Sequence, residues 1–190
     1  GTSNTAVGYK ALEKNTSNSN TAIGYAALQN NSIGIYNTAF GANTMNNNTS
    51  GIENAAFGEL ALNINKTGNY NSVLGNHALR FGTNANNNTA IGFESLVGNN
   101  DSNNVSIGFQ SGYNNSNGEG NVFLGFKAGY NETNSNKLYI SNYNHIDTPL
   151  IYGDFNSLKV GIHTKNPYAE KMALFLLSVW TVGGEVIEDE

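Results

Sequence analysis

Eight glycines, Gly8, Gly24, Gly41, Gly58, Gly75, Gly92, Gly108 and Gly125, recur along this chain at intervals of 16 or 17 residues. Each sits inside one copy of a single motif. Six copies are plain: Asn4–Leu12 (NTAVGYKAL), Asn20–Leu28 (NTAIGYAAL), Asn37–Met45 (NTAFGANTM), Asn54–Leu62 (NAAFGELAL), Asn71–Leu79 (NSVLGNHAL) and Asn88–Leu96 (NTAIGFESL). Two weaker copies follow, Asn104–Gly112 (NVSIGFQSG) and Asn121–Gly129 (NVFLGFKAG). So short a unit cannot bury its own apolar face, and the copies must stack to do so. A central glycine with β-branched neighbours disfavours a helix. The expected fold is all-β: a stacked β-roll or β-solenoid of eight 16–17-residue coils, forming a rod of roughly 40 Å at ~4.8 Å per coil.

The columns of the repeat carry the expectations for packing. Val7, Ile23, Phe40, Phe57, Leu74, Ile91, Ile107 and Leu124 precede the glycines. Their uniform size and apolarity predict a buried core ladder. Four residues after the glycine, Leu12, Leu28, Met45, Leu62, Leu79 and Leu96 form a second apolar ladder. Two columns of small residues, Ala6 to Ser106 and Ala11 to Ala128, predict close approach of another backbone or another subunit. A parallel homotrimer packed through these small columns is the favoured assembly, with a monomeric solenoid as its competitor. The column Lys10, Ala26, Asn43, Leu60, His77, Glu94, Gln110 and Lys127 has no common character, which predicts a solvent-facing position. The opening asparagines Asn4, Asn20, Asn37, Asn54, Asn71, Asn88, Asn104 and Asn121 can form a side-chain ladder or close turns onto their own backbone.

Asparagine accounts for 36 of the 190 residues and only 12% are charged. Such a polar, turn-rich composition would ordinarily read as disorder, but 38% hydrophobic content with ten Tyr and nine Phe supplies a narrow core. The repeat region is placed at 1–135 and a β-rich C-terminal region at 136–190. In the latter, Lys137–Ser141, Pro149–Phe155 and Lys159–His163 read as short strands between turns. Ala169–Ile187 is compatible with more β-structure or one helix. Met172–Val182, the longest apolar stretch, is shorter than the ~20 residues that cross a bilayer. The start at Gly1, without Met or signal peptide, reads as a processed or excerpted piece.

Residue supply argues against catalysis and against any cofactor or metal. The few carboxylates specify no pair across a groove; Glu59 and Glu94 fall in different columns two coils apart. His77, His145 and His163 lack zinc spacing, cysteine is absent, and the repeat has no recurrent Asp for calcium. A net charge of −5 without a basic cluster argues against nucleic-acid binding. The column after the glycine is aromatic at Tyr9, Tyr25, Phe93, Phe109 and Phe126 and interrupted by Ala42, Glu59 and Asn76. Exposed rings in a row can stack on sugar faces; the plainer alternative is packing between coils or chains. A threonine column, Thr5, Thr21, Thr38 and Thr89, would serve a flat ice-binding array but is interrupted by Ala55, Ser72, Val105 and Val122.

The NTAxGxxAL repeats, followed by NVFLGFKAGYNETNSNKLYIS, TPLIYGDF and KVGIHTKNP, resemble tail-fibre-like surface proteins of bacteria and phages. The Asn-…-Ala-Ile-Gly core is also similar to the head repeats of trimeric autotransporter adhesins. The resemblance covers residues 1 to about 167. It implies a trimeric β-roll exposed on a cell surface or virion, used for attachment to a glycan or receptor. A self-assembling extracellular filament is the alternative role for the same rod.

Overall fold

The computed structural model describes residues 1–142 and 149–163. Each repeat contributes one three-residue strand immediately before its glycine: β1 (Thr5–Val7), β2 (Thr21–Ile23), β3 (Thr38–Phe40), β4 (Ala55–Phe57), β5 (Ser72–Leu74), β6 (Thr89–Ile91), β7 (Val105–Ile107) and β8 (Val122–Leu124). Successive strands pair in parallel with equivalent residues opposed, as in Ala22↔Ala39 and Ile23↔Phe40. The expected β-solenoid of about eight coils is therefore the fold. Three further strands, β9 (Lys137–Ile140), β10 (Ile151–Asp154) and β11 (Lys159–Ile162), extend the same eleven-stranded sheet. β9 pairs in parallel with β8, and β10 then reverses direction to pair antiparallel with both β9 and β11. Ala169–Ile187, including Met172–Val182, lies outside the described residues.

The inward and outward assignments of the strand residues are the reverse of the expectation. In β2 to β7 it is the small middle residue that points into the coil: Ala22, Ala39, Ala56 and Ala90 are all 0% exposed. The large residue before the glycine points out, with Phe40 52% and Phe57 39% exposed, and Ile23 and Ile91 half-buried. Alternation along a strand forces one of the two outward, and the coil is too narrow to take the larger. The second small column is also interior, at Ala27, Thr44, Ala61, Ala78, Ser95, Ser111 and Ala128. Both small columns thus face their own chain, so a trimer packed through them is ruled out geometrically. The ladder Leu28, Met45, Leu62, Leu79 and Leu96 is fully buried and forms the apolar half of the core.

The polar half of the interior is asparagine. Each opening Asn uses both ends of its amide. Its Nδ2 donates across its own coil to a loop carbonyl, as in Asn37 to Gly51 at 2.7 Å and Asn54 to Gly68 at 2.8 Å. Its Oδ1 accepts the backbone N–H of the next opening Asn, as in Asn54 to Asn37 at 3.1 Å and Asn71 to Asn54 at 3.0 Å, and in the last copy Asn121 accepts from Lys137 N–H at 2.8 Å. A second column, Asn15, Asn31, Asn48 and Asn65, half-buried at Asn15 and buried from Asn31 on, forms an amide-to-amide ladder at 2.6, 2.7 and 2.8 Å. A buried amide left unpaired costs about 1–3 kcal/mol, so these ladders hold the register of the stack as well as closing each coil.

Turning the chain in so few residues needs left-handed backbone. The variable column from Lys10 to Lys127 has φ between 51 and 61°, and Leu12, Leu28, Met45, Leu62, Leu79 and Leu96 have φ between 47 and 53°. This geometry costs L-residues about 1–2 kcal/mol each. Hydrogen bonds to adjacent coils offset it, including Leu28 N–H to Thr44 carbonyl at 3.0 Å and Leu60 N–H to Ala42 carbonyl at 3.0 Å. The variable column is only partly exposed, and Ala26 within it is buried.

One exchange in the last two coils is compensated inside the core. Gly112 and Gly129 stand where earlier coils carry Leu or Met, and Phe123 stands where they carry Ala, Val or Ser. Phe123 is fully buried; a Cβ on Gly112 would lie 2.7 Å from its ring and 2.8 Å from Leu96. The ring thus occupies the volume of the missing leucines. Phe123→Ala should cost about 3–5 kcal/mol in urea unfolding. Adding Gly112→Leu and Gly129→Leu to Phe123→Ala should recover part of that loss, although each Leu alone overpacks the wild-type core. Additive effects of the three changes would contradict this volume exchange.

The C-terminal hairpin closes the stack. Tyr139 on β9 continues the interior column beyond Phe123, its ring 5.8 Å from that of Phe123 and 5.2 Å from Tyr152. Lys137 and Asp154, paired across β9 and β10, form an ion pair at 3.1 Å. The Lys137 ammonium holds the Asp154 carboxyl below its ordinary range, helped by the N–H groups of Ser157 and Asn156. A depressed carboxyl stabilises the fold above its unfolded-state value and loses that contribution as pH falls through the folded one. The protection of the β10 amides, relative to their intrinsic exchange rates, should therefore fall in acid, below about pH 4. Asp154→Asn should flatten that dependence, and an unchanged profile would count against the pair.

Candidate interaction faces

Two outward columns flank the glycine line. The uninterrupted large apolar column runs on one side, and Tyr9, Tyr25, Phe93, Phe109 and Phe126 lie on the other. In the middle coils, where Ala42, Glu59 and Asn76 interrupt the aromatic column, Phe40, Phe57 and Leu74 keep the stripe apolar. Ten side chains in these columns are exposed. Each is 39–65% exposed, so at about 150–250 Å² for a whole large side chain they present on the order of 1,000 Å² of surface. That exceeds the ~300–600 Å² of the largest patch on an ordinary monomer.

The aromatic side chains stack from coil to coil. Ring centroids are 5.6 Å apart for Tyr9 and Tyr25, 5.5 Å for Phe93 and Phe109, and 5.4 Å for Phe109 and Phe126. Phe40 and Phe57 stack likewise at 6.3 Å. The mutual stacking turns ring faces toward neighbouring coils and leaves edges outward. This geometry supports packing between coils more than a platform for sugar faces. Of the threonine column, Thr21, Thr38 and Thr89 are half-buried outward residues, with Ala55 and Ser72 between Thr38 and Thr89 and Val105 following.

The polar side chains form short ladders of their own. His77 Nδ1 lies 3.8 Å from Glu94 Oε1, and Gln110 Nε2 donates to Glu94 Oε2 at 2.8 Å. His163 is exposed after β11, and His145 lies outside the described residues. Among the described residues, no three His, Asp or Glu side chains are grouped to hold a metal ion. Nor is any helix there long and apolar enough to cross a membrane. Two features of the stacked coils draw on residues outside the repeated motif. One is the second asparagine column, which recurs seven residues after the glycine at Asn15, Asn31, Asn48, Asn65, Asn99 and Asn115. The other is an open groove of about 490 Å³ lined by Tyr36, Thr38, Glu53, Asn54 and Ala55.

The chain matches no protein-family model, no curated protein and no solved structure.

Proposed function

We propose that this chain is a structural, non-catalytic attachment segment of a fibre displayed on a cell surface or virion, assembled as a parallel homotrimer. The outward apolar stripe is the observation that carries the reading. Its ~1,000 Å² is comparable to the ~800 Å² that each partner contributes to a stable interface. A parallel threefold arrangement sets each stripe against the equivalent stripes of two other copies, coil against coil, so the interface repeats with the period of the sequence. The solenoid supplies reach, and the resemblance of its repeats to tail-fibre-like surface proteins and adhesin heads supports an attachment role.

A self-assembling filament is the second reading. It is favoured by the edge position of β1, which among the described residues pairs with β2 on one side and offers the backbone groups of its other side to another coil. Electron microscopy of the purified protein separates the two. Discrete short rods support the attachment segment, and continuous threads support the filament. Light scattering that gives a stable monomer overturns the trimer.

A further inference from the structure

We infer that Tyr36, Glu53 and Tyr70 form a binding site for a small organic ammonium group. The three occupy one column, the residue before the opening Asn, in three successive coils. Their stacking is fixed by backbone: Glu53 N–H donates to Ile35 carbonyl at 3.0 Å and Tyr70 N–H to Ile52 carbonyl at 3.1 Å. The backbone there is left-handed, with φ of 58, 54 and 59°. Elsewhere the column holds Ser3, Ser19, Asn87, Asn103, Gly120 and Asn136, all small, and four of them of the types that bear this geometry best. Two tyrosines and a glutamate depart from that pattern in adjacent coils only.

None of the three side chains is used by the fold. Tyr36 is 59% and Tyr70 51% exposed, and Glu53 is exposed between them. Among the described residues, none of them makes a side-chain hydrogen bond, ion pair or ring contact. The groove beside Tyr36 and Glu53 exists because Ala55 stands between Thr38 and Ser72 on the outer face of the sheet. No basic side chain lines it. The Asn54 amide at its floor is buried and already committed to Asn37 and Gly68.

This chemistry selects a cation. Two coil steps separate the tyrosines by ~9.6 Å. A cation held over Glu53, in the coil between them, is one ~4.8 Å coil step from the level of each tyrosine, within the ~6 Å over which a cation is attracted to a ring face. The Glu53 carboxylate lies at the same level and supplies the counter-charge. A neutral sugar could use the Tyr36, Tyr70 and Thr38 hydroxyls but would leave the Glu53 charge without a counter-ion. A quaternary or primary ammonium uses all three side chains.

Titration calorimetry and tyrosine NMR of the intact chain with choline chloride test the inference. Saturable binding is expected, with shifts in the Tyr36 and Tyr70 ring signals. Glu53→Gln, Tyr36→Ser and Tyr70→Asn should each weaken it by about twofold to fivefold. The tyrosine replacements are residue types the same column already carries, so the fold is retained. The uncharged dimethylbutanol isostere of choline, which has the same shape, should bind much more weakly. Absence of saturable binding overturns the inference. So does equal binding of the isostere, or undiminished binding to Glu53→Gln. Saturable binding of a neutral oligosaccharide that Glu53→Gln leaves unchanged would make this a sugar site instead and overturn it too. These readouts do not depend on oligomeric state, so they stand or fall apart from the fibre reading.

Discussion

Gly58→Ala should be among the most damaging single substitutions in the chain, lowering stability by about 3–5 kcal/mol and the melting temperature steeply. Gly58 adopts φ of 133°, and its seven counterparts lie between 112 and 143°, a region that side chains rarely enter. Space is also missing. A Cβ on Gly58 would stand 2.6 Å from the Gly75 carbonyl carbon and oxygen in the next coil. Relief would require separating two coils that are held by Gly75 N–H donating to Phe57 carbonyl at 2.8 Å and by the strand pairing beside it. The neighbouring change Phe57→Ala removes a ring that is 39% exposed and should cost the isolated chain much less. Thermal unfolding followed by circular dichroism compares them. A Gly58→Ala melting temperature at or above that of Phe57→Ala would contradict the close-stacking account of the glycine line.

The period, the parallel in-register stack and the positions of β9, β10 and β11 were legible in the sequence because each follows from spacing and β-propensity. The Leu28–Leu96 ladder was legible for the same reason. What misled was the rule that the larger apolar residue goes inside. It fails here because a 16–17-residue coil leaves room for Ala22 or Ala56 beside the leucine and asparagine ladders, and no room for Phe40 or Phe57. The same narrowness explains the left-handed residues. Nothing about Leu62 or Met45 announces φ near 50°, since their burial and inter-coil hydrogen bonds impose it from outside the residue. The second asparagine column was within reach of the period, but it lies in the segments between motifs, where Asn is so common that its phase is easily overlooked. The Tyr36, Glu53 and Tyr70 column shows only once the coils are stacked.

Phe57→Glu should convert the assembled protein to monomers while leaving each solenoid folded. In an isolated chain the side chain at 57 points to water, so a carboxylate there costs little, within the ~0.5 kcal/mol typical of surface changes, beyond loss of the Phe40 stacking contact. In the proposed trimer the same position lies in the apolar stripe. Threefold symmetry then brings three carboxylates together, each desolvated and none paired, at a cost of several kcal/mol per charge. Light scattering should therefore fall from the trimer mass to the monomer mass, with the β-type circular dichroism spectrum retained. Ala56→Leu, one residue earlier, should do the opposite. It forces volume into a site with no exposure, where overpacking costs about 1–3 kcal/mol, and should damage the solenoid itself. The two adjacent substitutions thus separate the outer face from the inner one. A Phe57→Glu protein that assembles like the wild type would remove the stripe as the interface, and with it the main support for a trimeric fibre.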